Sequence, residues 1–330
     1  MVWLSLSARL LINVEALNMA EAVGNYTRHR RAPVVIPTDG GYRVVYVPAI
    51  SGESLAHAYQ AWLVHEARIR GLPVCDLCAR EEFIKRGNEA AGRVKDVSSA
   101  DKYEESVIKE CVVEDVGGFL APTAVPVKRT SRFMVSYLIP AIEDIKASTI
   151  TPQLHVRHSP TQRAQGQQAA GQMIYYVETS SAIYTLTASL DVDGIGRKSY
   201  IRVEYVVGDE ERRKRIEAAI MALYDTLAQG LFGAKQSRFK PHYKVLSTVV
   251  TITHPNPYNV LAGHSKDYIK EVASNLRKFK ELTGSEALMG YYVREDIPRP
   301  EQGIAKEFGS LEDLFKWVMS EVLRLSKLAR

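Results

Sequence analysis

The chain opens with an apolar segment that gives way abruptly to a polar one. Tryptophan, leucine and isoleucine predominate from Trp3 to Ile12, a pattern that indicates a buried strand. The next segment, Asn13–Arg31, is rich in residues that turn the backbone or hydrogen-bond to it. It ends in the consecutive residues Arg28, His29, Arg30 and Arg31. Because consecutive side chains point in different directions, this basic cluster suits an extended anion with repeated charge better than a single phosphate.

Periodic apolar positions predict four helices further along the chain. Ser51 is placed to cap the first helix, whose apolar stripe includes Leu55, Tyr59 and Leu63. The predicted helices span Glu53–Arg70, Asp209–Gln229, Lys266–Leu282 and Leu311–Leu328. Within the second helix, the basic run Arg212–Arg215 lies mostly off the apolar stripe, which indicates a solvated face.

Segments rich in β-branched or aromatic residues predict strands. They are Tyr42–Val47, Ser131–Ile139, Met173–Val192, Lys198–Val207, Tyr243–Thr253 and Leu288–Val293. Asp193–Gly196 has the composition of a hairpin turn between the third and the fourth of them. Strands and helices in this order predict an α+β layer fold, which we assign to a single domain over residues 1–330.

Two polar stretches interrupt this pattern. Residues 72–114 contain few side chains that could form a core, so we expect a partly helical insertion that lies over the main sheet. Thr149–Gly171 is rich in Gln and Ala and is too long for a tight connection, so it is either functional or mobile. Between the two stretches, Gly117 and Gly118 allow a positive φ or the close approach of another backbone.

The charge of the chain is mild in total but unevenly placed. A net charge of +5 permits a nucleic-acid partner without requiring one. Basic residues gather at Arg28–Arg31, Lys128–Arg132, Arg197–Arg202, Arg212–Arg215 and Lys235–Lys244. The last cluster lies in a loop, Gly233–Lys244, that alternates basic and aromatic residues directly before a strand, which suits contact with a phosphate backbone. The phosphate-loop pattern of nucleotide-binding proteins is absent from the sequence.

Three cysteines are too few for a disulfide scaffold. Cys75 and Cys78 form a C-x-x-C and only Cys111 remains, whereas a structural zinc site takes four ligands. We therefore expect reduced thiols or an incidental disulfide, with no bound metal and no cofactor. The sequence also lacks a signal-peptide pattern and an apolar run long enough to cross a membrane, so we expect a cytoplasmic protein without a membrane partner.

Several motifs occur in an order and spacing that resemble a known family. They are Leu17-Asn18-x-x-Glu21-x-x-Gly24-Asn25 before the basic cluster, Ile50–Ala58, Asp115–Phe119, Gln172–Thr179 and Gly233–Arg238. Together they resemble the CRISPR-associated Cas-seven (DevR-like) family, whose members are backbone subunits of Cascade, and its archaeal subtype in particular. The resemblance covers most of the chain.

The resemblance implies a modified RNA-recognition-like (ferredoxin-like) βαββαβ palm. In it, residues 72–114 would form a helical lid, and residues 149–171 would form a projecting thumb that folds over the guide RNA. The implied function is not enzymatic. Several copies would line up in a helical array along one CRISPR RNA, together with other Cascade subunits, and would present the guide for pairing with target DNA.

The expected RNA contacts are the polar and basic residues of these motifs and of the thumb, with one Met that could wedge between bases. They are Asn18, Asn25, Arg28, His29, Arg30, Arg31, Ser51, His57, Arg157, His158, Arg163, Gln167, Gln168, Met173, Lys235 and Arg238. In one respect the chain departs from the family. Many relatives carry a basic residue where this chain has Ala56, so Arg28–Arg31 would supply that contact instead.

Two other functions also fit the residues. His155 and His158, with Arg157 between them, could supply the base and the cation of a metal-independent endoribonuclease that processes guides. They lie in the stretch with the least predicted structure, however, where catalytic geometry is hardest to hold. The modest net charge instead fits a regulator or scaffold that does not bind RNA. We expect no enzymatic activity.

Overall fold

The computed structural model describes residues 1–87, 99–122, 126–158, 172–301 and 303–329. The strands are β1 (Trp3–Glu15), β2 (Met19–Val23), β3 (Tyr26–His29), β4 (Arg31–Thr38), β5 (Gly41–Pro48), β6 (Phe119–Ala121), β7 (Val127–Arg129), β8 (Phe133–Val135), β9 (Ile139–Pro140), β10 (Thr149–His158), β11 (Gln172–Asp191), β12 (Arg197–Lys198), β13 (Glu204–Tyr205), β14 (His242–His254), β15 (Glu286–Val293) and β16 (Ala305–Glu307). The helices are α1 (Gly52–Ile69), α2 (Asp76–Ala79), α3 (Ala100–Glu110), α4 (Val112–Gly117), α5 (Asp209–Gln229), α6 (Tyr268–Thr283) and α7 (Leu311–Leu325), with a 3-10 helix at Ile142–Ala147. The four helices predicted from periodicity are confirmed as α1, α5, α6 and α7.

A ten-stranded mixed sheet organises the molecule. Its strand order is β16-β15-β14-β1-β11-β3-β2, and β8, β9 and β10 also pair with β11. The central strand β1 is antiparallel to both neighbours, with Trp3 opposite Asp191 of β11 and Thr253 of β14. β11 continues past the end of β1, because Gln172–Thr179 pairs with β10 and in part with β3 instead. This projecting half of β11 carries the candidate site.

The apolar run in β1 lacks strict alternation because both faces of the strand are covered. Leu4, Leu6 and Leu10 belong to the main core, to which α1, α5 and α7 also contribute. Arg9 is buried on the other face. Its guanidinium contacts Asp144 at 2.5 Å, Glu295 at 2.9 Å and the Gly263 carbonyl at 2.8 Å, so the buried charge is paired.

A second core lies between α6 and the β14–β15 edge of the sheet. Ile269, Val272 and Leu276 of α6 pack there with Val249 and Met289. Among the described residues, no helix combines the length and the apolar character needed to cross a membrane.

The described part of the insertion predicted at residues 72–114 is partly helical, as expected, with α2, α3 and the beginning of α4 separated by irregular segments. The expectation of few core residues is wrong for α3, because its inner face packs in a small core of its own. That core contains Ala100, Tyr103, Val107, Phe119, Ala121 and Val127. The glycine prediction is confirmed at Gly118, whose φ is 72° and where a Cβ would lie 2.5 Å from the Arg129 carbonyl oxygen.

Three predicted segments differ in the structure. Ser131–Ile139 is not one continuous strand, since β8 and β9 pair with β11 and Leu138 between them forms an isolated bridge with Ile50. Lys198–Val207 contains only the short strands β12 and β13, and Ile201 and Val203 are exposed because no layer covers them. The stretch Thr149–Gly171 begins as a strand rather than a loop, because Thr149–His158 finds a complete partner in β11.

The prediction of a solvated face at Arg212–Arg215 is wrong for two of its residues. Arg212 and Arg215 are buried, and Arg215 is 0% exposed. Arg215 Nη1 donates to Asp115 Oδ2 at 2.8 Å and to the Ile108 carbonyl at 2.8 Å. Asp115 also pairs with Arg129, which is buried as well. The charges therefore hold the insertion against α5, an arrangement that residue spacing along one helix does not reveal.

Candidate functional site

A bulge at the end of β1 turns the chain toward the candidate site. The pairing of β1 with β11 shifts register between Ile12 and Glu15, and Val14 has a φ of 56°. Glu15 is buried as a result, and its Oε2 accepts a hydrogen bond from the Leu17 amide at 2.7 Å. The chain then leaves the sheet and reaches Asn18.

Asn18 joins three segments that lie far apart in the sequence. Its Oδ1 accepts hydrogen bonds from Arg30 Nε at 2.8 Å and from the Ser51 amide at 2.9 Å. Its carbonyl accepts another from the Arg30 amide at 2.8 Å. The two Nη atoms of Arg30 have no hydrogen-bond or ion-pair partner within the described ranges. Arg30 is therefore a half-buried cation with a fixed stem and free donors.

Ser51 is buried and shapes the site rather than lining it. Its Oγ accepts a hydrogen bond from the Ser54 amide at 3.3 Å, which confirms its predicted role as the cap of α1. The Arg30 guanidinium thus lies beside the N-terminus of α1, where the helix dipole favours negative charge. The exposed Glu53 carboxylate of the first turn is one such charge, and its backbone hydrogen bond together with the nearby Arg30 lowers its pKa.

The other basic residues of the cluster separate in space. Glu178 of β11 accepts hydrogen bonds from the His29 amide at 2.8 Å and from Arg31 Nη2 at 2.9 Å. Arg28 points elsewhere and pairs with Glu21 at 2.9 Å, and both of these side chains are exposed. The side chains of Arg28 and Arg31 are 54% and 49% exposed.

His29 is the member of the cluster that does not reach the surface. It is 2% exposed, and its Nε2 lies 2.7 Å from Glu15 Oε1. Ser180 and Tyr184 also donate to that carboxylate, at 2.5 and 2.8 Å. Burial lowers the pKa of His29, but its hydrogen bond and attraction to Glu15 outweigh burial and raise the pKa overall. Burial likewise raises the pKa of Glu15, and the bond to His29 reverses this to a net lowering.

The basic loop before β14 lies against the same turn. The Ala234 amide donates to the Leu17 carbonyl at 2.7 Å, next to Asn18. Gly233 has a φ of 77°, and a Cβ there would lie 2.5 Å from the same carbonyl oxygen, so only glycine fits. The loop thereby brings the exposed side chains of Lys235 and Arg238 beside the turn of the basic cluster.

Aromatic rings connect this loop to the β10–β11 hairpin. The His155 ring stacks on Tyr175 with 5.2 Å between centroids and meets Phe239 edge-on at 5.4 Å. Asn25 Nδ2 donates to the Ile174 carbonyl at 3.0 Å, which fixes the β2–β3 turn against the same hairpin. Arg157 is exposed on β10, opposite Met173 in the strand pairing.

The structure does not bring all of the predicted residues together. His57 is exposed on α1, and its ring contacts Phe83 edge-on with centroids 5.0 Å apart, so it joins the helix to the insertion. The side chains of His158 and Met173 lie outside the description, although their backbones belong to β10 and β11. Predicted contacts at Arg163, Gln167 and Gln168 fall on residues outside the described ranges.

The sequence reasoning missed the two carboxylates that position the cluster. Glu15 and Glu178 are 0% and 4% exposed and bind the inner side of the basic segment. Each lies in a strand, and their contacts with residues 29–31 depend on strand pairing across as many as 149 positions. No local pattern marks such a residue. The arrangement leaves Arg28, Arg30, Arg31, Lys235, Arg238 and Arg157 as cations around the projecting half of β11, a surface that we call the basic rim.

The chain matches a known family over most of its length. Residues 6–273 match the family model described as CRISPR-associated negative auto-regulator DevR/Csa2. The chain belongs to the DevR/Csa2 family.

Named relatives of this DevR/Csa2 chain come from archaea. It is 41% identical over 319 residues to a protein of Saccharolobus solfataricus named CRISPR-associated aCascade subunit Cas7/Csa2 2, covering 93% of this chain and 97% of that protein. A second protein of that organism, CRISPR-associated protein Cas7/Csa2 1, is 41% identical over 303 residues, covering 89% and 93%. The Cas7/Cst2/DevR protein of Thermoproteus tenax is 28% identical over 333 residues, covering 98% and 97%.

Solved structures share the fold of this DevR/Csa2 chain at low sequence identity. A chain of a CRISPR RNA-guided surveillance complex, pre-nicking, superimposes with a TM-score of 0.57 at 12% identity, covering 97% of this chain and 99% of that one. A chain of a second CRISPR RNA-guided surveillance complex gives a TM-score of 0.53 at 10% identity, with the same coverage.

Proposed function

We propose that this protein is a non-catalytic backbone subunit of an archaeal Cascade complex. It binds CRISPR RNA through the sugar-phosphate backbone and presents the bases for pairing with target DNA. The observation that carries the proposal is the basic rim, in which Asn18 fixes Arg30 beside the N-terminus of α1 while Lys235 and Arg238 approach from a distant loop. The name of the Saccharolobus solfataricus relative, an aCascade subunit, supports the same assignment.

The strand order supports an RNA-recognition-like palm as the core of this subunit. The elements β1, α1, β10, β11, α5 and β14 follow one another in the order βαββαβ, apart from the segments inserted between them. Their strands lie in the order β14-β1-β11-β10, and each neighbouring pair is antiparallel. We infer that the lid is the insertion at residues 72–114 and that the β10–β11 hairpin carries the thumb.

The chemistry of the basic rim favours backbone contact over base reading. Its groups are guanidinium and ammonium cations on three separate segments, and such groups neutralise consecutive phosphates of a single strand. Sequence would then be read by pairing between guide and target, while the protein holds the guide backbone. Asn25 and the thumb residues Arg163, Gln167 and Gln168 are the proposed contacts to sugars and base edges.

Several copies of the chain would lie side by side along one RNA. The β4–β5 hairpin supports such an array, because its two strands pair with no other strand in the described part of the chain and expose apolar side chains. Tyr42 is 80% exposed and Tyr46 is 73% exposed, and Val35 and Val44 are exposed as well. A cluster of exposed apolar side chains on one element is typical of a protein–protein contact, and a neighbouring copy is the partner that an array places there.

The contacts of His155 argue against the guide-processing endoribonuclease. The ring lies between Tyr175 and Phe239, and its Nε2 is buried without a hydrogen-bond partner among the described residues. A general base must instead reach the proton that it removes. The regulator remains a second candidate, because the description of the matching family includes the words negative auto-regulator.

RNA binding by matched triple variants tests the proposal. The first variant, Arg28→Ala/Lys235→Ala/Arg238→Ala, removes three exposed cations of the rim. The control, Lys270→Ala/Lys278→Ala/Lys280→Ala, removes three exposed cations of α6, which packs on the other end of the sheet. Affinity for a single-stranded RNA of guide length is measured at several salt concentrations without divalent metal, and the RNA is then examined on a denaturing gel.

We expect wild-type protein and control to bind with the same salt dependence and to leave the RNA intact. In the rim variant, the slope of log affinity against log salt should flatten by about 2, at roughly 0.7 for each lost phosphate contact. Equal RNA affinities of the two variants would refute the assignment of the basic rim as the RNA-binding surface. Reproducible cutting by the wild type would favour the endoribonuclease, and absence of binding would favour the regulator.

A further inference from the structure

The three cysteines of the chain meet at one place in the insertion. Cys75 and Cys78 lie at the start and within the short helix α2, and Cys111 lies between α3 and α4. All three are free thiols, and their sulfur atoms lie within 4.8 Å of one another. Cys78 and Cys111 are buried, and Cys75 is half-buried. In the sequence, the C-x-x-C supplies only two neighbouring thiols. The third thiol, Cys111, comes close to them only in the folded chain.

Local backbone geometry explains why the sulfur atoms converge. Cys75 holds the N-cap position of α2, so the first helical turn brings Cys78 over it. Cys111 is extended, with φ −148° and ψ 114°, where the chain passes from α3 to α4. The Val112 amide donates to the Pro73 carbonyl at 3.0 Å and fastens the two segments together. The convergence therefore follows from backbone contacts as well as from the thiols.

Arg86 reaches the cavity beside Cys75 from the following turn. It is buried, lines that cavity, and donates to Glu114 Oε2 at 2.7 Å and to Glu110 Oε2 at 3.0 Å. Its φ is 60°, so the backbone adopts an unusual conformation to place it there. Arg86 thereby holds two carboxylates at the cavity beside the cysteines.

A cavity of about 420 Å³ opens beside Cys75 and leaves room for one more ligand. Its lining includes Cys75, Asp76, Arg86, Glu110 and Glu114. A tetrahedral zinc site with Zn–S bonds of about 2.3 Å needs sulfur atoms about 3.8 Å apart, which is within the spread observed here. Thiolate ligands favour zinc over the hard cations magnesium and calcium.

We propose that Cys75, Cys78 and Cys111 bind one zinc ion as thiolates, with a solvent molecule or a cavity carboxylate as the fourth ligand. The ion joins the beginning of the insertion, at α2, to its end, at α3 and α4. It thereby fixes the lid by closing a long loop, as structural zinc sites do. This proposal does not depend on RNA binding, because the site lies apart from the basic rim.

Metal analysis of the full chain tests the site. We expect about one zinc ion per chain after purification without added chelator. Cys75→Ser should lose the zinc, whereas Cys75→His, which keeps a good zinc ligand, should retain it. Titration of metal-free wild type with Co²⁺ should produce the thiolate-to-cobalt charge-transfer band and the visible absorption of tetrahedral cobalt. Removal of zinc from the wild type should lower its melting temperature, and restoring zinc should reverse the loss.

Three results would overturn the zinc site. One is wild-type protein that neither contains zinc nor develops the tetrahedral cobalt spectrum. Another is a disulfide among these cysteines in protein purified under reducing conditions, because oxidised sulfur does not bind zinc as thiolate. The third is full zinc occupancy in Cys75→Ser. If a variant does not fold, the cobalt titration of the wild type still shows whether the three cysteines form a tetrahedral metal site.

Discussion

Buried charges at single positions hold the basic cluster and the insertion in place. Glu15 and Glu178 fix the inner side of the basic cluster, and Asp115 does the same for the insertion through Arg129 and Arg215. Each carboxylate is buried, so each must be paired to be tolerated. The cations of the basic rim differ, because Arg28 and Arg31 stay about half exposed beside Glu21 and Glu178. Burial therefore distinguishes the arginines that support the fold from those that can still reach a ligand.

Replacement of Arg215 tests whether a buried arginine stabilises the fold. We expect Arg215→Ala to lower the free energy of unfolding by about 3–5 kcal/mol, because it leaves Asp115 buried with one cation fewer. The neighbouring change Lys214→Ala, at a half-buried position, serves as the control and should cost about 0.5 kcal/mol or less. Denaturant unfolding of both variants measures the difference, and similar losses would show that the buried pair contributes little.

His29 and Glu15 predict a pH dependence of stability. The pKa of His29 is raised in the folded protein above its ordinary 6.5, so its contribution is complete below that pH and is lost as pH rises through the folded pKa. The pKa of Glu15 is lowered below its ordinary 4.5, so its contribution is present above that pH and is lost as pH falls through the folded pKa. The pair should therefore stabilise most between these two ordinary values.

Melting temperatures across the pH range check this prediction. Wild type should lose stability relative to His29→Gln as the pH rises above neutrality, because the variant has no imidazolium to lose. The difference between the two proteins should be largest at mildly acidic pH. A constant difference over the whole range would mean that His29 stabilises β3 through packing alone.

At the scale of elements, strand pairing determined whether several segments form strands, where local sequence patterns did not predict the outcome. Thr149–His158 lies in a polar stretch for which no strand was predicted, yet its backbone pairs along its whole length with β11. Lys198–Val207 has better strand composition but stays mostly unpaired, since no layer covers its apolar side chains. A strand gains its hydrogen bonds from a neighbouring strand. A polar segment that has such a partner can therefore form a strand where an apolar segment without a partner does not.

The β4–β5 hairpin gives the prediction at this scale. We expect Tyr42→Ser/Tyr46→Ser to shorten the arrays formed on a long RNA, because these exposed rings would contact the neighbouring copy. Binding of a single copy to a short RNA should stay unchanged. The control Ile201→Ser/Val203→Ser removes two other exposed apolar side chains outside the hairpin. Mass photometry of the complexes measures the number of copies, and arrays of equal length in both variants would exclude the hairpin from the contact.

At the scale of the whole molecule, the sheet assembles both proposed sites from distant segments. The bulge at the end of β1, the loop before β14 and the hairpin of β10 with β11 meet at the projecting half of β11. The insertion meanwhile closes on itself through its cysteines and attaches to α5 through Arg215. The insertion and the basic rim are therefore both attached to the same sheet and its helices, an arrangement that fits the proposed role as a backbone subunit.

The sequence by itself determined the four long helices, the central strands, the glycine at Gly118, the cap at Ser51 and the family. The helices, strands, glycine and cap depend on local propensity and periodicity, which neighbouring residues encode within a few positions. The family follows from the resemblance of motifs in order along the chain. Only the tertiary structure decided that His29 is buried, that Arg215 supports the fold and that Cys111 joins the C-x-x-C. Each of these depends on contacts between residues far apart in the chain. Burial and pairing arise from packing across the sheet, so no window of sequence contains them.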